Sequence, residues 1–355
     1  MNKAVDVLVI GMGPAGGAAA MTAAQGGLSV LGVEKKREVG VPVQCAEFIP
    51  LPMMRYSRGA GVLRQPITGM KSFLPSQHVE KTEFPGLMID RAKFDQWFAS
   101  EAQKAGAEVL TQSRLVALDA AQRVAQIETP EGALTVGFKL LVAADGPHSA
   151  VAEQLGLPEI DSVYTRQYTV PLLQPFEDTD IWLSDDFPGG YGWLFPKGNF
   201  ANLGLGLDKG ITQDMKAPLD ALHAQLVAEG RVGTEILYRT GGAIPVGGLR
   251  EHLVMGDVVF AGDAGGFCHP ITGGGISAAV VSGERAGLAA VALLKEQDAD
   301  ALADYEEDMR DQFEGTLLRA VERRRWMAQY WRTAEAQHDA MHRKGWIAFP
   351  EYFQA

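Results

Sequence analysis

Residues 7–33 carry no charge, a run of 27 between Asp6 and Glu34. By length alone such a run is enough to span a bilayer. Gly11, Gly13, Pro14, Gly16, Gly17, Gly26 and Gly27 interrupt it, and the pieces read better as strand, turn, helix and strand. Residues 5–10 are short and β-branched, the pattern of a buried strand. Residues 14–26 form an Ala-rich helix, and residues 28–33 a second strand ending at Glu34. Together they make a βαβ unit. Its turn is Gly11-Met12-Gly13-Pro14-Ala15-Gly16. The first glycine permits a tight turn, the second lets backbone amides reach a pyrophosphate, and the third lets the helix pack close to the strand. The phosphate then sits on the helix N-terminus. Glu34 stands where an acid accepts ribose hydroxyls and disfavours a 2′-phosphate, so the nucleotide is NAD or FAD.

The whole chain of 355 residues is long enough for about two domains at ~150 residues each. Residues 91–105 read as a helix with Phe94, Trp97, Phe98 and Ala102 at helical spacing. Residues 107–141 alternate like a small sheet, and Leu140 to Ala144 is another buried strand. Residues 160–250 change character: alternating strands rich in glycine and aromatics predict an antiparallel sheet, with a short helix over 216–229. Residues 258–261 return to the buried-strand pattern, a helix follows over 276–295, and residues 299–345 are charge-rich and helical. Asp6 falls where a signal peptide would be basic, so no targeting segment is read and the cytoplasm is expected. The net charge of −12 argues against nucleic acid as a partner. Two cysteines exclude a disulfide scaffold and a four-Cys zinc site.

Two further motifs carry chemistry. Asp145-Gly146 ends a buried strand at a small polar turn, which alone fits any β-turn. Gly262-Asp263 ends another, and Gly273-Gly274-Gly275-Ile276 opens the next helix. The Asp263 carboxylate suits a sugar-like chain, and the amides of 274–276 suit an anionic centre. A nicotinamide uses neither; a flavin has a ribityl chain for the first and an N1/C2=O edge for the second. In this order, with Asp90-Arg91-Ala92-Lys93-Phe94-Asp95 between them, the motifs resemble the FAD-binding pattern of the hydroxylase-type flavoproteins over most of residues 5–295. The resemblance implies FAD held by Gly11, Gly13, Pro14, Ala15, Gly16, Glu34, Lys35, Cys45, Arg91, Leu115, Asp145, Gly146, Asp263, Gly273, Gly274, Gly275 and Ile276, with Arg91 near the cofactor and Leu115 beside the adenine.

Within that group, Val41-Pro42-Val43-Gln44-Cys45-Ala46-Glu47 is similar to the Pro-x-x-x-Cys-Gly-Glu stretch of the geranylgeranyl reductase family, with Ala46 in place of glycine and the proline one position nearer the cysteine. Tyr191-Gly192-Trp193-Leu194-Phe195-Pro196 is similar to its Tyr-x-Trp-x-Phe-Pro motif. The last ~55 residues carry no match. The resemblance implies an α/β fold with a Rossmann-like FAD-binding domain (1–75, 90–160 and 250–298, discontinuous), an antiparallel-sheet substrate domain (76–89 and 161–249) and a C-terminal helical segment (299–355). It implies reduction of C=C bonds in a prenyl-type, lipid-like substrate, with NAD(P)H or another donor binding transiently, since there is no second GxGxxG. The same FAD motifs also serve a monooxygenase acting on an aromatic or peptide-borne substrate. A halogenase would carry Trp-x-Trp-x-Ile-Pro where this chain has Tyr191 and Phe195. A non-enzymatic lipid or protein carrier is the remaining alternative.

Tyr191, Trp193 and Phe195 alternate and so share one strand face, as core aromatics or as the wall of a substrate slot. Cys45 and Cys268 are small buried apolar residues or proton-bearing thiols, Cys45 being the nearer to catalysis. His269 is a loop histidine bonded to backbone or a proton donor. His338 and His342 lie four apart, but no third ligand is evident and no metal is expected. Arg323-Arg324-Arg325-Trp326 with Tyr330 and Trp331 is a solvated helix face, or a patch touching a membrane surface or a protein.

Overall fold

The computed structural model describes residues 2–354. Its first sheet has a parallel centre of β17 (Val258–Phe260), β9 (Gly132–Ala143), β1 (Asn2–Ile10), β2 (Val30–Val33) and β6 (Glu108–Leu110). β16 (Val254–Met255) extends one edge, and β7 (Arg114–Asp119) and β8 (Val124–Thr129) fold against β9 as an antiparallel meander. Where they cross the core, at 7–10, 30–33, 140–143 and 258–260, the central strands are apolar and buried because both faces are covered. Val7 and Val9 join the core under α1 (Pro14–Gln25), α2 (Arg91–Lys104) and α5 (Ile276–Val291). Leu8 and Ile10 join a second core with the meander and α3 (Ala150–Gln154).

The second sheet has the order β14 (Tyr238–Thr240), β10 (Ser162–Pro171), β13 (Phe200–Leu207), β12 (Gly192–Lys197), β11 (Asp178–Trp182), β4 (Leu63–Phe73), β5 (Val79–Ile89) and β3 (Phe48–Pro50), with β15 (Ala243–Pro245) beside β10. It is antiparallel except where β11 runs parallel to β4. Period-2 alternation splits β12: Leu194 packs with α4 (Lys216–Ala228), whereas Trp193 and Phe195 face the other way. β3 and β4 fall within the stretch 1–75 yet pair in this second sheet, so sheet membership departs there from the limits expected for the nucleotide unit. A strand's own pattern says that it pairs, not with which sheet.

α1 and α5 approach closely because their contact is made of small residues: a Cβ at Gly283 would overlap the Ala15 carbonyl. α5 with its continuation to Glu296 is long and apolar enough to cross a membrane by length and composition, but about half of it is buried in this fold. α6 (Ala301–Ala328) is a single long helix. The helical stretch expected to run to 345 ends there. The chain turns through Ala334–Gln337, and α7 (Asp339–Gly345) doubles back over the second sheet. The reason is apolar burial within a charge-rich stretch: Trp331, Met341, Trp346 and Phe349 are all buried.

Candidate active site

Each expected cofactor motif lies at the C-terminal end of a parallel strand or at the start of a helix. Gly11 has φ +91°, and a Cβ there would meet the backbone of Ala144 and Asp145. Glu34, 7% exposed, accepts from Met12 N at 3.1 Å and Lys36 N at 2.9 Å, so the acid also holds the glycine turn. Gly13 has no described atom within 4 Å of where its Cβ would stand, which leaves room above the α1 N-terminus for a pyrophosphate. Pro14 and Ala15 begin α1. Lys35 is exposed next to Glu34, and Leu115 is buried in β7. Asp145 accepts from Val151 N at 3.1 Å through Oδ2, while its buried Oδ1 has no partner among the described residues. Gly146, with φ +86°, also borders open space.

Asp263 follows β17. Its carboxylate receives no hydrogen bond from the described residues, and burial raises its pKa to about 6 against the pull of Arg91. Gly273 has φ +65°, and Gly274 N donates to Thr272 Oγ1 at 3.2 Å. Among the expected amides, those of Gly275 and Ile276 therefore stand at the start of α5, which has no side-chain cap. An unmatched, half-buried acid beside an uncapped helix start, with a second unmatched carboxylate oxygen at Asp145, suits a ligand offering hydroxyl donors and an anionic edge. FAD has both.

Around this loop the structure gathers residues far apart in sequence. Arg91 donates to Asp95 through Nε (3.0 Å) and Nη2 (2.9 Å) and stands beside Cys45. The Cys45 Sγ accepts from Glu47 N at 3.2 Å. Burial raises the Cys45 pKa despite Arg91, so the thiol keeps its proton at neutral pH. Cys268 is also a free, buried thiol, pushed well up by burial and then by Asp263. Burial, followed by Cys268 and Cys45, raises the Tyr191 phenol. His269 accepts from Ile271 N and Thr272 N, both at 3.3 Å, through Nδ1. Burial lowers its pKa to about 4, leaving a neutral ring with its proton on Nε2.

Tyr191, Trp193 and Phe195 share one packed face with Trp346 and Phe349. Tyr191 OH donates to Thr272 O, tying the aromatic face to the glycine loop. Trp193 Nε1 donates to Gln167 Oε1 at 3.2 Å, and Gln167 Nε2 donates to Cys45 O at 3.0 Å. Trp346 meets Tyr191 edge-on at 4.9 Å. A cavity of about 390 Å³ opens beside Tyr191, Ile271, Trp331 and Trp346, and a smaller one reaches Trp193, Pro270 and Gly273.

Sequence reasoning missed Trp331, Trp346 and Arg324 as parts of this site. Arg324 turns inward, donating to Gly189 O at 2.8 Å, and Arg323 Nε donates to Tyr352 O at 3.1 Å. The basic run is thus not simply a solvated face. It also missed Glu47, 3% exposed, which accepts from Arg91 N (2.9 Å), Lys197 Nζ (2.6 Å) and Asn202 Nδ2 (2.9 Å). The signal for Glu47 was present in Cys45-Ala46-Glu47. His338 precedes α7, and His342 is bonded to Ala336 O at 2.8 Å.

The raised Asp263 pKa makes the stability of the apoprotein depend on pH. The folded group titrates near 6 and the unfolded group near 3.8, so its ionisation opposes folding of the apoprotein fully above pH 6 and progressively less down toward 4. Asp263→Asn is expected to raise the apoprotein Tm at pH 7.5, with the gain fading below pH 6, while weakening flavin retention. Thermal melts across that range together with flavin-to-protein ratios check it. An unchanged Tm at pH 7.5 contradicts it.

Two family models match the chain: FAD dependent oxidoreductase over residues 6–144, and geranylgeranyl reductase catalytic domain over residues 162–243. The digeranylgeranylglycerophospholipid reductase 1 of Methanopyrus kandleri is 36% identical over 331 residues, covering 87% of this chain and 88% of that relative. A geranylgeranyl bacteriochlorophyll reductase-like protein from Thermoplasma acidophilum superposes with a TM-score of 0.87 at 26% identity, covering 98% of this chain and 93% of that one. Aklavinone-11 hydroxylase, solved with FAD and aklavinone, shares the fold (TM-score 0.74, 20% identity, 94% and 72% covered). The oxygenase likeness is one of fold alone. The chain belongs to the geranylgeranyl reductase family of FAD-dependent oxidoreductases.

Proposed function

We propose that the protein reduces isolated C=C bonds of an apolar, prenyl-type chain. The observation that supports this best is the aromatic-lined cavity beside the Pro270–Gly273 loop, walled by Tyr191 and continuous in sequence with the cofactor motif. Reduced FAD, when bound, supplies the hydride to one alkene carbon. An isolated alkene does not stabilise the resulting charge, so a proton must reach the other carbon in concert. Cys45 holds that proton at Sγ, because burial keeps the thiol protonated. His269 Nε2–H is the alternative source, and its neutral ring makes it the weaker acid at working pH. Tyr191, Trp193 and Phe195 orient the chain and exclude water. Glu34, Asp145, Arg91, Asp263 and the 273–276 segment hold the cofactor.

Sheet membership supports assigning 1–47, 90–160 and 250–298 to the cofactor unit, and 48–89 with 161–249 to the substrate unit. Electrons come from NAD(P)H binding transiently or from a protein donor. The enzyme works in the cytoplasm at the membrane surface that supplies its substrate, where Leu318 and Phe353 are exposed on the C-terminal helical layer with Arg319 over the Phe353 ring.

The test is anaerobic. The holoenzyme is reduced with dithionite and mixed with geranylgeraniol. The expected result is recovery of flavin absorbance without oxygen and a product heavier by two hydrogens per reduced bond. Recovery only when oxygen is admitted, with a hydroxylated product, overturns the reading.

A further inference from the structure

One arginine of α6 borders both cavities. Arg324 lines the larger and the smaller, and its side chain is 16% exposed. Four charged side chains line the larger cavity: Arg324, Arg325, Asp161 and Asp208. Arg325 and Asp161 are exposed, and the Asp208 side chain is 38% exposed. The deepest charge in the cavity wall is therefore positive.

The contacts of Arg324 balance that charge only in part. Its hydrogen bonds to the described residues leave through Nη1, to Gly189 O at 2.8 Å and Pro270 O at 3.4 Å. Both acceptors are neutral. The facing acid, Asp208, stands 3.5 Å from Nη2, beyond the length of a charge-assisted hydrogen bond. Asp208 Oδ1 is occupied by Gly210 N at 2.8 Å. Burial lowers the Arg324 pKa against the pull of Asp208 and Asp161, yet a guanidinium stays charged at any working pH. Nε and Nη2 hold three of its five N–H donors.

An oxyanion meets these conditions. The planar N–H fork matches phosphate oxygens two at a time. A hydroxyl or a hydrocarbon end leaves the half-buried cation without a counter-charge. Val246, Ile271 and Trp331 add apolar wall around it, so the cavity suits a molecule with an anionic end and an apolar body. From Arg324, Tyr191, Val246 and Ile271 lead into the smaller cavity bounded by Trp193 and Gly273.

We propose that the substrate carries a phosphate at its head and that Arg324 binds it, while the prenyl chain runs past Tyr191 toward the Gly273 loop. Arg324 is then a specificity-determining residue. This assignment rests on the reading of the site as a prenyl-chain reductase.

Equilibrium binding to the oxidised holoenzyme tests it, with three probes in one detergent: geranylgeranyl monophosphate, geranylgeraniol and inorganic phosphate. Wild-type protein is expected to bind the prenyl phosphate about tenfold more tightly than the alcohol, and inorganic phosphate more weakly than either. Arg324→Met keeps most of the apolar stem and deletes the charge. It is expected to bring the ratio of the two prenyl affinities close to one, whereas Arg324→Lys keeps part of the preference. Equal affinities in the wild type, or an equal loss for phosphate and alcohol in Arg324→Met, overturn the assignment and leave the guanidinium as a clamp on the Gly189 and Pro270 carbonyls. Inorganic phosphate binding as tightly as the prenyl phosphate overturns it in favour of a free-anion site. If Arg324→Met does not fold, the wild-type series alone decides. Turnover is measured separately: a prenyl phosphate that binds as stated but does not reoxidise the reduced enzyme without oxygen overturns the reductase reading and leaves the head-group assignment standing.

Discussion

Gly16→Ala is expected to purify with less than about a tenth of the wild-type flavin and to melt well below it. The added Cβ would overlap the Gly11 carbonyl oxygen. Gly11 has no room to yield, since its own position, at φ +91°, is set against the backbone of Ala144 and Asp145. Both obstacles are backbone, so no rotamer change relieves them. The first turn of α1 must move off β1, taking the pyrophosphate seat with it. Overpacking of this kind costs about 1–3 kcal/mol. Gly13→Ala separates folding from binding: its Cβ meets nothing within 4 Å, so the apoprotein should melt normally while flavin retention falls. Flavin-to-protein absorbance ratios and thermal melts read both variants. A Gly16→Ala protein with full flavin would show that the turn does not seat the cofactor.

The second large effect belongs to Cys45. Cys45→Ala is expected to keep its flavin and to be reduced normally by dithionite, yet to reduce geranylgeraniol about 10²-fold more slowly, the lower range for loss of a positioned proton donor. Because burial raises the thiol pKa, the wild-type rate should not fall between neutral and mildly alkaline pH. Anaerobic stopped-flow measurement of flavin reoxidation checks both statements. A variant as fast as wild type assigns the proton to another group or to water.

The parts of the fold that were legible in the sequence have a local cause. The uncharged run from Val7 to Val33 resolved into β1, α1 and β2 because its glycines mark the turn and its apolar residues have strand and helix periods. The shared face of Tyr191, Trp193 and Phe195 followed from the two-residue repeat of a strand. The parts that were not legible depend on partners distant in the chain. Nothing around Trp346 announces that it will pack against Tyr191. Nothing in Leu63–Phe73 says that β4 will pair with β11 rather than join the nucleotide sheet. Arg324 illustrates the same limit. Its neighbours are charged, and only the Gly189 carbonyl and the Asp208 carboxylate, far away in the chain, turn the guanidinium inward.

Glu47 has a thermodynamic meaning beyond its place near the thiol. A single carboxylate joins the start of α2, on the nucleotide sheet, to Lys197 of β12 and Asn202 of β13. Separating the two layers would strand a buried charge, at a cost of about 3–5 kcal/mol, which is a large share of the ~5–15 kcal/mol by which a domain is usually stable. The two sheets, although traced by interleaved stretches of chain, therefore melt as one cooperative unit. Local opening of one half is suppressed by the other.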